Sequence, residues 1–371
     1  MKKIFFTLFG LINILSVSSL NNKNYSLAKE YYNYKLKDSI KFNFENSIKL
    51  NSENSNTLNF QNNDQDKYIE FAKSFEKNYR IFEKNWYFIE DHNQKNDFKL
   101  NVNKFADTID FDNSETPDDL MKNNIPFNKN KFNFFNIYNP FKKNNPPSVD
   151  WRKTKYLTPV KDQKKCGSCW AFSATSSLET FLKKNNYKVE RLSEQELVDC
   201  SIENDGCSGG LMDLAFDYCI ENNGLHSNDN YKYNAKDNKC LQNCKIDNQH
   251  TCTIKDKVKG SSNFKYKFTK SYSVDSLKEA VKINPVCIAI DANDPTFRFY
   301  SNGVIEDNNK KEPTLNHAVL LIGYGNDEKG DYWIVQNSWG TNWGDNGYFK
   351  LRIINGKGVL SCQLYGVYPY N

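Results

Sequence analysis

Hydrophobic and polar positions divide the chain into two parts with different periodicities. In the first part, aromatic and aliphatic residues recur at steps of three or four, at positions 68, 71, 75, 79, 82, 86 and 89. This spacing places them on one face of a long amphipathic helix. A short strand and turn are predicted over 101–107. The segments 21–64 and 110–147 are polar and rich in Asn, and we interpret them as linkers.

The second part, from Ser148 onward, has helical patterns first and strand patterns afterwards. Apolar positions predict helices over 169–184, 194–199 and 210–220. Short apolar or alternating runs predict strands over 286–290, 317–322, 332–336 and 347–353. A helical half followed by a strand half indicates an α+β architecture of two lobes with a cleft between them.

Composition and charge narrow the classes of function. Asn provides 29 of the first 150 residues but two of the next fifty, so the globular part is expected in the second half. The net charge of the 371 residues is +5, and after residue 148 the counts are 29 basic against 27 acidic. Because no basic stripe is present, nucleic acid is not an expected partner.

The N-terminus has the pattern of a secretory signal. Two lysines precede an apolar run over 4–17, and small residues follow it, which predicts a cleavable signal peptide over 1–20. An uncleaved membrane anchor is the alternative. It is disfavoured because the run contains Gly10 and Asn13 and is shorter than the roughly 20 residues that a bilayer requires. No stable membrane span is expected elsewhere.

All ten cysteines lie between Cys166 and Cys362. With a secretory signal, this clustering indicates disulfides within one globular part. A zinc site built from Cys166, Cys169, Cys240 and Cys244 is the competing interpretation. We disfavour the zinc site because the secretory pathway is oxidising and because Cys169 is better explained as a nucleophile. No metal and no cofactor is therefore expected.

Cys169 is the candidate nucleophile. It follows Gly167 and Ser168 and begins a predicted helix. At that position the unpaired amide N–H groups and the helix dipole favour the thiolate over the thiol. The thiolate is the nucleophilic form of cysteine. A buried structural or disulfide-bonded cysteine is the alternative for this residue taken alone.

The candidate base is His317, which begins an apolar strand and can therefore project a fixed ring into a cleft. His92 lies in the amphipathic helix, outside the cysteine-bearing part. His226 and His250 lie in polar loop sequence, where solvent exposure is expected. His317 is the histidine whose position suits proton transfer.

Two further side chains complete a candidate catalytic set. Asn337 follows another predicted strand, and its amide oxygen can orient the imidazole of the base. Trp339 can shield that hydrogen bond from water. Gln163 precedes Cys169 by six residues, and its side chain can donate to a developing oxyanion together with the N–H of Cys169.

The candidate residues lie in three sequence blocks: the first contains Gln163 and Cys169, the second contains His317, and the third contains Asn337 and Trp339. These three blocks, in this order, resemble the papain family of cysteine proteases, most closely its cathepsin L-like branch. The resemblance extends from Ser148 to Pro369. It implies a papain-like two-lobed α+β fold, with a helical left domain, a β-barrel-like right domain and an active-site cleft between them, preceded by a helical propeptide. Asn337 lies 168 residues after Cys169, and a polar hairpin insertion over 325–330 accounts for part of this longer spacing.

The resemblance also implies a domain organisation. It consists of a signal peptide over 1–20, a low-complexity linker over 21–64, an inhibitory propeptide domain over 65–109, an Asn-rich linker over 110–147 and a peptidase domain over 148–371. Four propeptide motif positions are present as Phe82, Asn85, Ile89 and Asn93. Three others depart from the family pattern: Ser74, Asn78 and Asn101. The enzyme is expected to be a zymogen inhibited by its own propeptide.

Substrate-binding positions are implied by the same resemblance: Gly209, Gly210, Leu211, Met212, Ala289, Leu315 and Trp343. Backbone groups of the Gly segment would pair with an extended peptide. The S2 pocket is expected to be apolar and to accept Leu, Val or Phe at P2, with its floor near Tyr365 or Gly366. Trp343 would form the S1′ wall.

The resemblance implies two disulfides, Cys166–Cys207 and Cys200–Cys240. A third bridge of the family would use Cys362, but the loop over 302–314 has no cysteine to pair with it. Five cysteines therefore stay unassigned: Cys219, Cys244, Cys252, Cys287 and Cys362. A bond from Cys219 to Cys244 or Cys252 is one interpretation.

The function implied is a cysteine-type endopeptidase, because no His-rich loop or fused cap that would block one end of the cleft is present. Polypeptides are the expected substrates, cystatin-like proteins are expected inhibitors, and the enzyme is expected to be a monomer. The expected location is the secretory pathway, in a lysosome or acidic vacuole or outside the cell. A catalytically silent peptide-binding homologue and a peptide ligase that uses the same site are the alternatives.

Overall fold

A computed structural model describes residues 31, 62–108, 146–241, 257–306 and 314–371 of the chain. The expected signal peptide, most of the expected linkers over 21–64 and 110–147 and the residues His250, Cys244 and Cys252 lie outside this described part. The chain forms two compact units. One comprises residues 1–88 and 106–110, and the other comprises residues 89–105 and 111–371. No helix in the described part is long and apolar enough to cross a bilayer.

The long amphipathic helix is present as α1, Asn62–Lys95, which extends beyond both predicted ends. In the first unit its buried residue Phe82 packs against the ring of Tyr31, with 4.9 Å between centroids. The Tyr31 hydroxyl donates to Asp107 Oδ2 at 3.3 Å. Tyr31 lies in the segment expected as a linker, yet it is helical and fully buried. An aromatic ring that finds an apolar helix face is ordered in spite of its polar neighbours.

The second unit begins with the end of α1 and strand β1, Lys99–Leu100, which pairs antiparallel with β5, Tyr300–Asn302. The strand predicted over 101–107 therefore lies earlier in the chain, and a turn occupies 104–107. The strand lies at this position because the side chain of Asn93 binds the backbone of Leu100. The Asn93 side-chain amide donates to Leu100 O at 3.0 Å and accepts from Leu100 N at 2.8 Å, which satisfies the backbone face that β5 leaves unpaired.

The helical lobe contains three of the predicted helices, and the structure confirms them within about two residues. They are α2 Cys169–Lys184, α3 Glu194–Cys200 and α4 Met212–Glu221. Helix α2 is buried from Cys169 through Leu182, so it is the central element of the unit. Four of its hydroxyl side chains donate hydrogen bonds within the core, from Ser173, Thr175, Ser177 and Thr180; Ser173 Oγ, for example, donates to Val319 O at 2.8 Å.

The other lobe is an antiparallel sheet, to which the described residues contribute seven strands. This lobe also contains helices α5 Val274–Ile283 and α6 Pro295–Arg298. The strands of the sheet are β2 Val149–Asp150, β3 Lys265–Phe268, β4 Val286–Ile290, β6 His317–Asp327, β7 Gly330–Gln336, β8 Tyr348–Arg352 and β9 Gly366–Tyr370. The order is β3-β9-β4-β6-β7-β8, with β2 on β6. Strand β6 is longer than predicted because its polar end forms a hairpin with β7.

A buried ion cluster joins the start of the second part to helices α2 and α3. Lys161 Nζ lies 2.5 Å from Glu194 Oε1 and 2.8 Å from Glu179 Oε1, and all three side chains are at most 4% exposed. Burial is the largest effect on the Glu179 carboxyl, and it raises the pKa of that group. The negative charge of Glu194 also raises this pKa, whereas the positive charge of Lys161 lowers it. A raised carboxyl pKa gives stability that is complete in acid and is lost as the pH rises through the folded-state value.

Both disulfides implied by the resemblance are present, Cys166–Cys207 and Cys200–Cys240. The zinc alternative therefore fails, because Cys166 and Cys240 are consumed in disulfides. The described residues also contain no cluster of three or more His, Cys, Asp or Glu side chains suited to a metal.

Three other cysteines are buried thiols: Cys219, Cys287 and Cys362. The interpretation that pairs Cys219 with Cys244 or Cys252 is therefore wrong. Cys219 lies on the buried face of α4 and is 1% exposed, so its sulfur is directed into the core. Burial raises the pKa of both Cys287 and Cys362 to about 12 and raises that of Cys219 further. These thiols are protonated and unreactive at ordinary pH.

Candidate active site

Cys169 is the first residue of α2, as the sequence predicts. The N-cap residue Ser168 does not cap the helix with its side chain, because its Oγ bonds the Tyr233 hydroxyl at 2.7 Å instead. Cys169 Sγ accepts a hydrogen bond from the backbone N–H of Ala318 at 3.3 Å. The helix dipole and this N–H both favour negative charge on the sulfur.

His317 and Asn337 form a buried hydrogen-bonded pair. His317 Nε2 lies 2.8 Å from Asn337 Oδ1, and the side chains are 0% and 3% exposed. Asn337 Oδ1 also accepts from the backbone N–H of Ser338 at 2.8 Å, so the atom that faces the ring is oxygen. The pair therefore requires a proton on Nε2 and leaves Nδ1 for the reaction.

The register of the sheet positions this pair beside the cysteine. Strand β4 pairs with β6 so that Ile290 faces His317 and Ala289 faces Ala318. Because Ala318 N bonds Cys169 Sγ, the residue next to His317 is in contact with the nucleophile. The first turn of α2 and the first residues of β6 thus meet at one point, which is the candidate reaction centre.

An aromatic cluster covers the His317–Asn337 bond. The Trp339 ring stacks on His317 with 4.8 Å between centroids and 29° between planes. Phe297 and Trp343 pack against Trp339 at 5.4 and 5.2 Å. Trp339 is only 5% exposed, so water has little access to the bond. A hydrogen bond in such a low-dielectric environment orients the imidazole more strongly than one in water.

Gln163 is fully buried and held in one orientation. Its Nε2 donates to Cys166 O at 3.0 Å, and its Oε1 accepts from Ser338 Oγ at 2.6 Å. The Tyr233 hydroxyl donates to Gln163 O at 2.7 Å. The amide nitrogen is thereby directed toward the Cys166–Cys169 loop, where an oxyanion donor is needed.

Tyr233 and Ser338 bond Gln163, and neither contact is among the sequence-based expectations. Ser338 lies inside the Asn-Ser-Trp block, so its place in the motif is a usable signal. Tyr233 lies in a polar loop and has no such signal. Only the fold brings its hydroxyl between Ser168 and Gln163.

Gly209 and Gly210 form the segment that the resemblance implies is a wall of the cleft, and Gly210 is closely packed against its neighbours. A Cβ on Gly210 would lie 2.4 Å from Asn204 Oδ1 and 2.7 Å from the Trp170 ring, so no larger residue fits. Gly209 has a φ of 125°, which L-residues rarely adopt. Asn204 Oδ1 accepts from Leu211 N at 2.7 Å and fixes the end of the segment.

The predicted S2 residues are linked through Tyr365. Its carbonyl accepts from Ala289 N at 3.3 Å, and its hydroxyl donates at 2.6 Å to Asp213, the neighbour of Met212. Met212, Ala289 and Leu315 are at most 7% exposed, and Leu211 is half-buried. Burial and the nearby Asp213 raise the pKa of Tyr365 well above its usual range, so the hydroxyl stays neutral. Trp343, the predicted S1′ residue, donates from Nε1 to Arg298 O at 3.0 Å.

The other described histidines make structural contacts. His226 is buried, and its Nδ1 and backbone N lie 3.0 and 2.7 Å from Glu196 Oε2. The expectation of solvent exposure for His226 is therefore wrong. The buried Glu196 carboxylate requires donors, and the loop provides them. His92 is also buried, with Nε2 3.2 Å from Phe98 O.

Residues 103–105 lie against the aromatic cluster. Lys104 Nζ donates to Trp339 O at 3.0 Å and lies 3.4 Å from Asp162 Oδ1. The Phe105 ring packs edge-on against Trp339, with 5.1 Å between centroids. Asn103 Nδ2 donates to Arg298 O at 2.9 Å. The segment before the second part of the chain therefore contacts the residues that flank the His317–Asn337 pair.

Sequence comparisons agree with this geometry. The family model described as papain family cysteine protease matches residues 145–367. A cathepsin L-like peptidase of Aedes aegypti is 38% identical over 300 residues, which cover 77% of this chain and 85% of that protein. Digestive cysteine proteinase 3 of Homarus americanus is 40% identical over 284 residues, with coverages of 73% and 81%. The KDEL-tailed cysteine endopeptidase CEP2 of Arabidopsis thaliana is 38% identical over 303 residues, with coverages of 79% and 80%.

Solved structures of proforms are similar as well. The proform of Amb a 11, a ragweed pollen cysteine protease, has a TM-score of 0.64 and 31% identity, and covers 79% of this chain and 88% of its own. Digestive procathepsin L 3 of Tenebrio molitor larval midgut has a TM-score of 0.63 and 31% identity, with coverages of 80% and 92%. These neighbours confirm the expected α+β architecture, in which helices combine with an antiparallel sheet.

Proposed function

The chain belongs to the papain family of cysteine proteases and is a cysteine endopeptidase made as a zymogen, and on this premise we propose that Cys169 and His317 carry its chemistry. The observation that supports this most directly is the meeting of three separate blocks. Ala318 N bonds Cys169 Sγ at 3.3 Å, and its neighbour His317 bonds Asn337 Oδ1 at 2.8 Å. Nucleophile, base and orienting group are in the order that acyl transfer requires.

In the first half of the proposed reaction, the Cys169 thiolate attacks the scissile carbonyl carbon. The carbonyl oxygen becomes an oxyanion, which accepts hydrogen bonds from the Cys169 N–H and the Gln163 amide. His317, as imidazolium, transfers its Nδ1 proton to the leaving amine. The C–N bond breaks, the amine departs with that proton, and the acyl group stays on sulfur as a thioester.

In the second half, His317 Nδ1 takes a proton from water as the water oxygen attacks the thioester. The second tetrahedral intermediate collapses, the C–S bond breaks, and the acid product leaves. The sulfur returns to the thiolate and His317 to the imidazolium. Asn337 keeps the Nε2–H bond throughout, so that Nδ1 alone exchanges protons.

Replacement of Asn337 with Ala tests the orienting role. We expect kcat/KM to fall about 10- to 100-fold, because a hydrogen bond to a charged group contributes about 1.5–3 kcal/mol. Because Asn337 Oδ1 stabilises the imidazolium, the alkaline limb of the pH–rate profile should move to lower pH. Asn222→Ala, at the C-cap of α4, is the matched control. An unchanged pH profile would contradict the role.

We also propose an apolar P2 preference, for Leu, Val or Phe. The proposed pocket residues Met212, Ala289 and Leu315 are apolar, and the buried Asp213 carboxylate already accepts the Tyr365 hydroxyl. A P2 guanidinium would therefore enter an apolar site without a dedicated counter-charge.

The P2 preference predicts that kcat/KM for a dipeptide fluorogenic substrate with Leu at P2 exceeds that for Arg at P2 by about 10- to 100-fold, or about 1.4–2.8 kcal/mol. The purified zymogen is incubated at mildly acidic pH with reductant, and its mass is followed in parallel. Turnover that appears as the mass falls by the size of the prosegment supports the proposed mechanism. Equal rates for Arg and Leu would contradict the pocket.

We place the enzyme in the secretory pathway, in an acidic vacuole or lysosome or outside the cell. The relatives named as digestive proteinases and as a KDEL-tailed endopeptidase support this. The boundaries 65–109 for the propeptide domain and 148–371 for the peptidase, action as a monomer and inhibition by cystatin-like proteins belong to the same proposal. Product analysis of the assay separates hydrolysis from ligation and from silent peptide binding.

A further inference from the structure

A carboxylate and a carbonyl oxygen form a small acidic site beside the catalytic residues. Asp162 Oδ1 and Trp339 O both lie near Lys104 Nζ, at 3.4 and 3.0 Å. Within the described residues, Lys104 is the only cation paired with Asp162. The zymogen thus has a prosegment ammonium group in a site built entirely from the peptidase part.

This acidic site is rigid and belongs to the cleft. Asp162 and Trp339 face each other in an antiparallel bridge, and Gln163 N donates to Ser338 O at 2.8 Å next to it. Asp162 Oδ1 also accepts from Lys164 N at 2.9 Å, which orients the carboxylate. The two acceptors therefore stay in position when the prosegment leaves.

The location assigns the site to one side of the scissile bond. Trp339 stacks on His317, and it also packs against Trp343, the proposed S1′ wall. The proposed S2 residues Met212 and Ala289 are instead linked through Tyr365 and Asp213. The acidic site therefore lies with the residues that contact the leaving-group portion of a substrate.

We propose that Asp162 and the Trp339 carbonyl form a cation subsite for substrate, which Lys104 occupies in the zymogen and which Lys or Arg side chains following the scissile bond occupy in the mature enzyme. The inference rests on the proposed function of the same cleft. An ammonium or guanidinium group matches two acceptors, one of which is charged. Lys104 demonstrates that a lysine side chain reaches both.

The expected preference is modest because the pair is open to solvent. The Lys104 and Asp162 side chains are 36% and 44% exposed. Exposed ion pairs change binding by a few tenths to about 1 kcal/mol, which is about a 1.5- to 5-fold change in kcat/KM. The preference should also weaken as salt is raised, since exposed charges are screened.

The test compares internally quenched peptides that differ only in Lys or Gln at each of the first three positions after the scissile bond. For the mature wild-type enzyme, we expect kcat/KM to be up to about fivefold higher with Lys at one of these positions. Asp162→Asn should abolish this ratio, and Asp162→Glu should keep part of it. The ratio is taken within each enzyme, so a general change in activity cancels.

Asp331→Asn is the matched control, because Asp331 is 46% exposed and pairs with Lys278 away from the site. It should leave the Lys/Gln ratio unchanged. A ratio of one in the wild type at all three positions, or a Lys preference that survives Asp162→Asn, would overturn the inference. Each enzyme is also assayed on a substrate that ends in a fluorogenic amide. Turnover there without any Lys preference overturns the subsite alone, whereas no turnover there overturns the proposed function.

Discussion

Replacement of Cys169 with Ala is expected to lower kcat/KM by a factor of about 10⁵–10⁶, the scale on which loss of a catalytic nucleophile acts in proteases. Without sulfur no thioester forms, and His317, Asn337 and Gln163 have no covalent intermediate to protonate or stabilise. The remaining rate would come from the oxyanion donors and from substrate binding.

The variant cannot process itself, so it is matured with a trace of wild-type enzyme that is then removed. Cys219→Ala is the matched control, since Cys219 is another buried thiol but lies on α4. It should keep full turnover. Among the cysteines that the structure describes, alkylation of the mature enzyme with iodoacetate should label Cys169 alone, because burial raises the pKa of Cys287 and Cys362 to about 12 and keeps both thiols protonated. Turnover in Cys169→Ala within tenfold of wild type would exclude the thiolate mechanism.

Replacement of Lys161 with Met is expected to lower the free energy of unfolding by about 3–5 kcal/mol. The change removes the one ammonium group that lies between Glu179 and Glu194, and in the described residues it leaves Arg191, 3.8 Å from Glu194 Oε2, as the cation still paired with these buried carboxyl groups. Because burial already raises the pKa of Glu179, the variant can regain stability by protonation. The loss should therefore be smaller near pH 4 than near pH 7.

Urea unfolding of the Lys161→Met zymogen measures this loss, in a Cys169→Ala background that prevents self-digestion. Lys278→Met is the control, because Lys278 pairs with the exposed Asp331 and its removal should cost less than about 1 kcal/mol. A loss below about 1 kcal/mol for Lys161→Met, or one that is larger in acid, would mean that the cluster does not hold a buried charge.

The proposed catalytic pair is already hydrogen-bonded in the full chain. His317 and Asn337 are 2.8 Å apart while Lys104 and Phe105 contact Trp339, the residue that covers them. On the proposed function, activation is therefore expected to need removal of the prosegment rather than rearrangement of this pair.

Local sequence was sufficient for much of the site. Helix α2 and its first residue Cys169 follow from the apolar period, and His317 at the start of β6 follows from the adjoining apolar run. The three blocks around these residues and Asn337 were enough to indicate the family, and the propeptide positions Phe82, Asn85, Ile89 and Asn93 indicated the zymogen. Such features depend on neighbours within a few positions, so periodicity and motif spacing record them.

The tertiary structure decided what depends on distant partners. His226 is buried because Glu196 needs its donors, and Tyr31 is ordered because Phe82 offers it a surface. Tyr233 reaches Gln163 across 70 positions, and Lys104 reaches Trp339 across 235. A polar residue in a loop has the same local pattern whether solvent or a buried group satisfies it. Its partner is therefore determined only by which surfaces the packed core brings together.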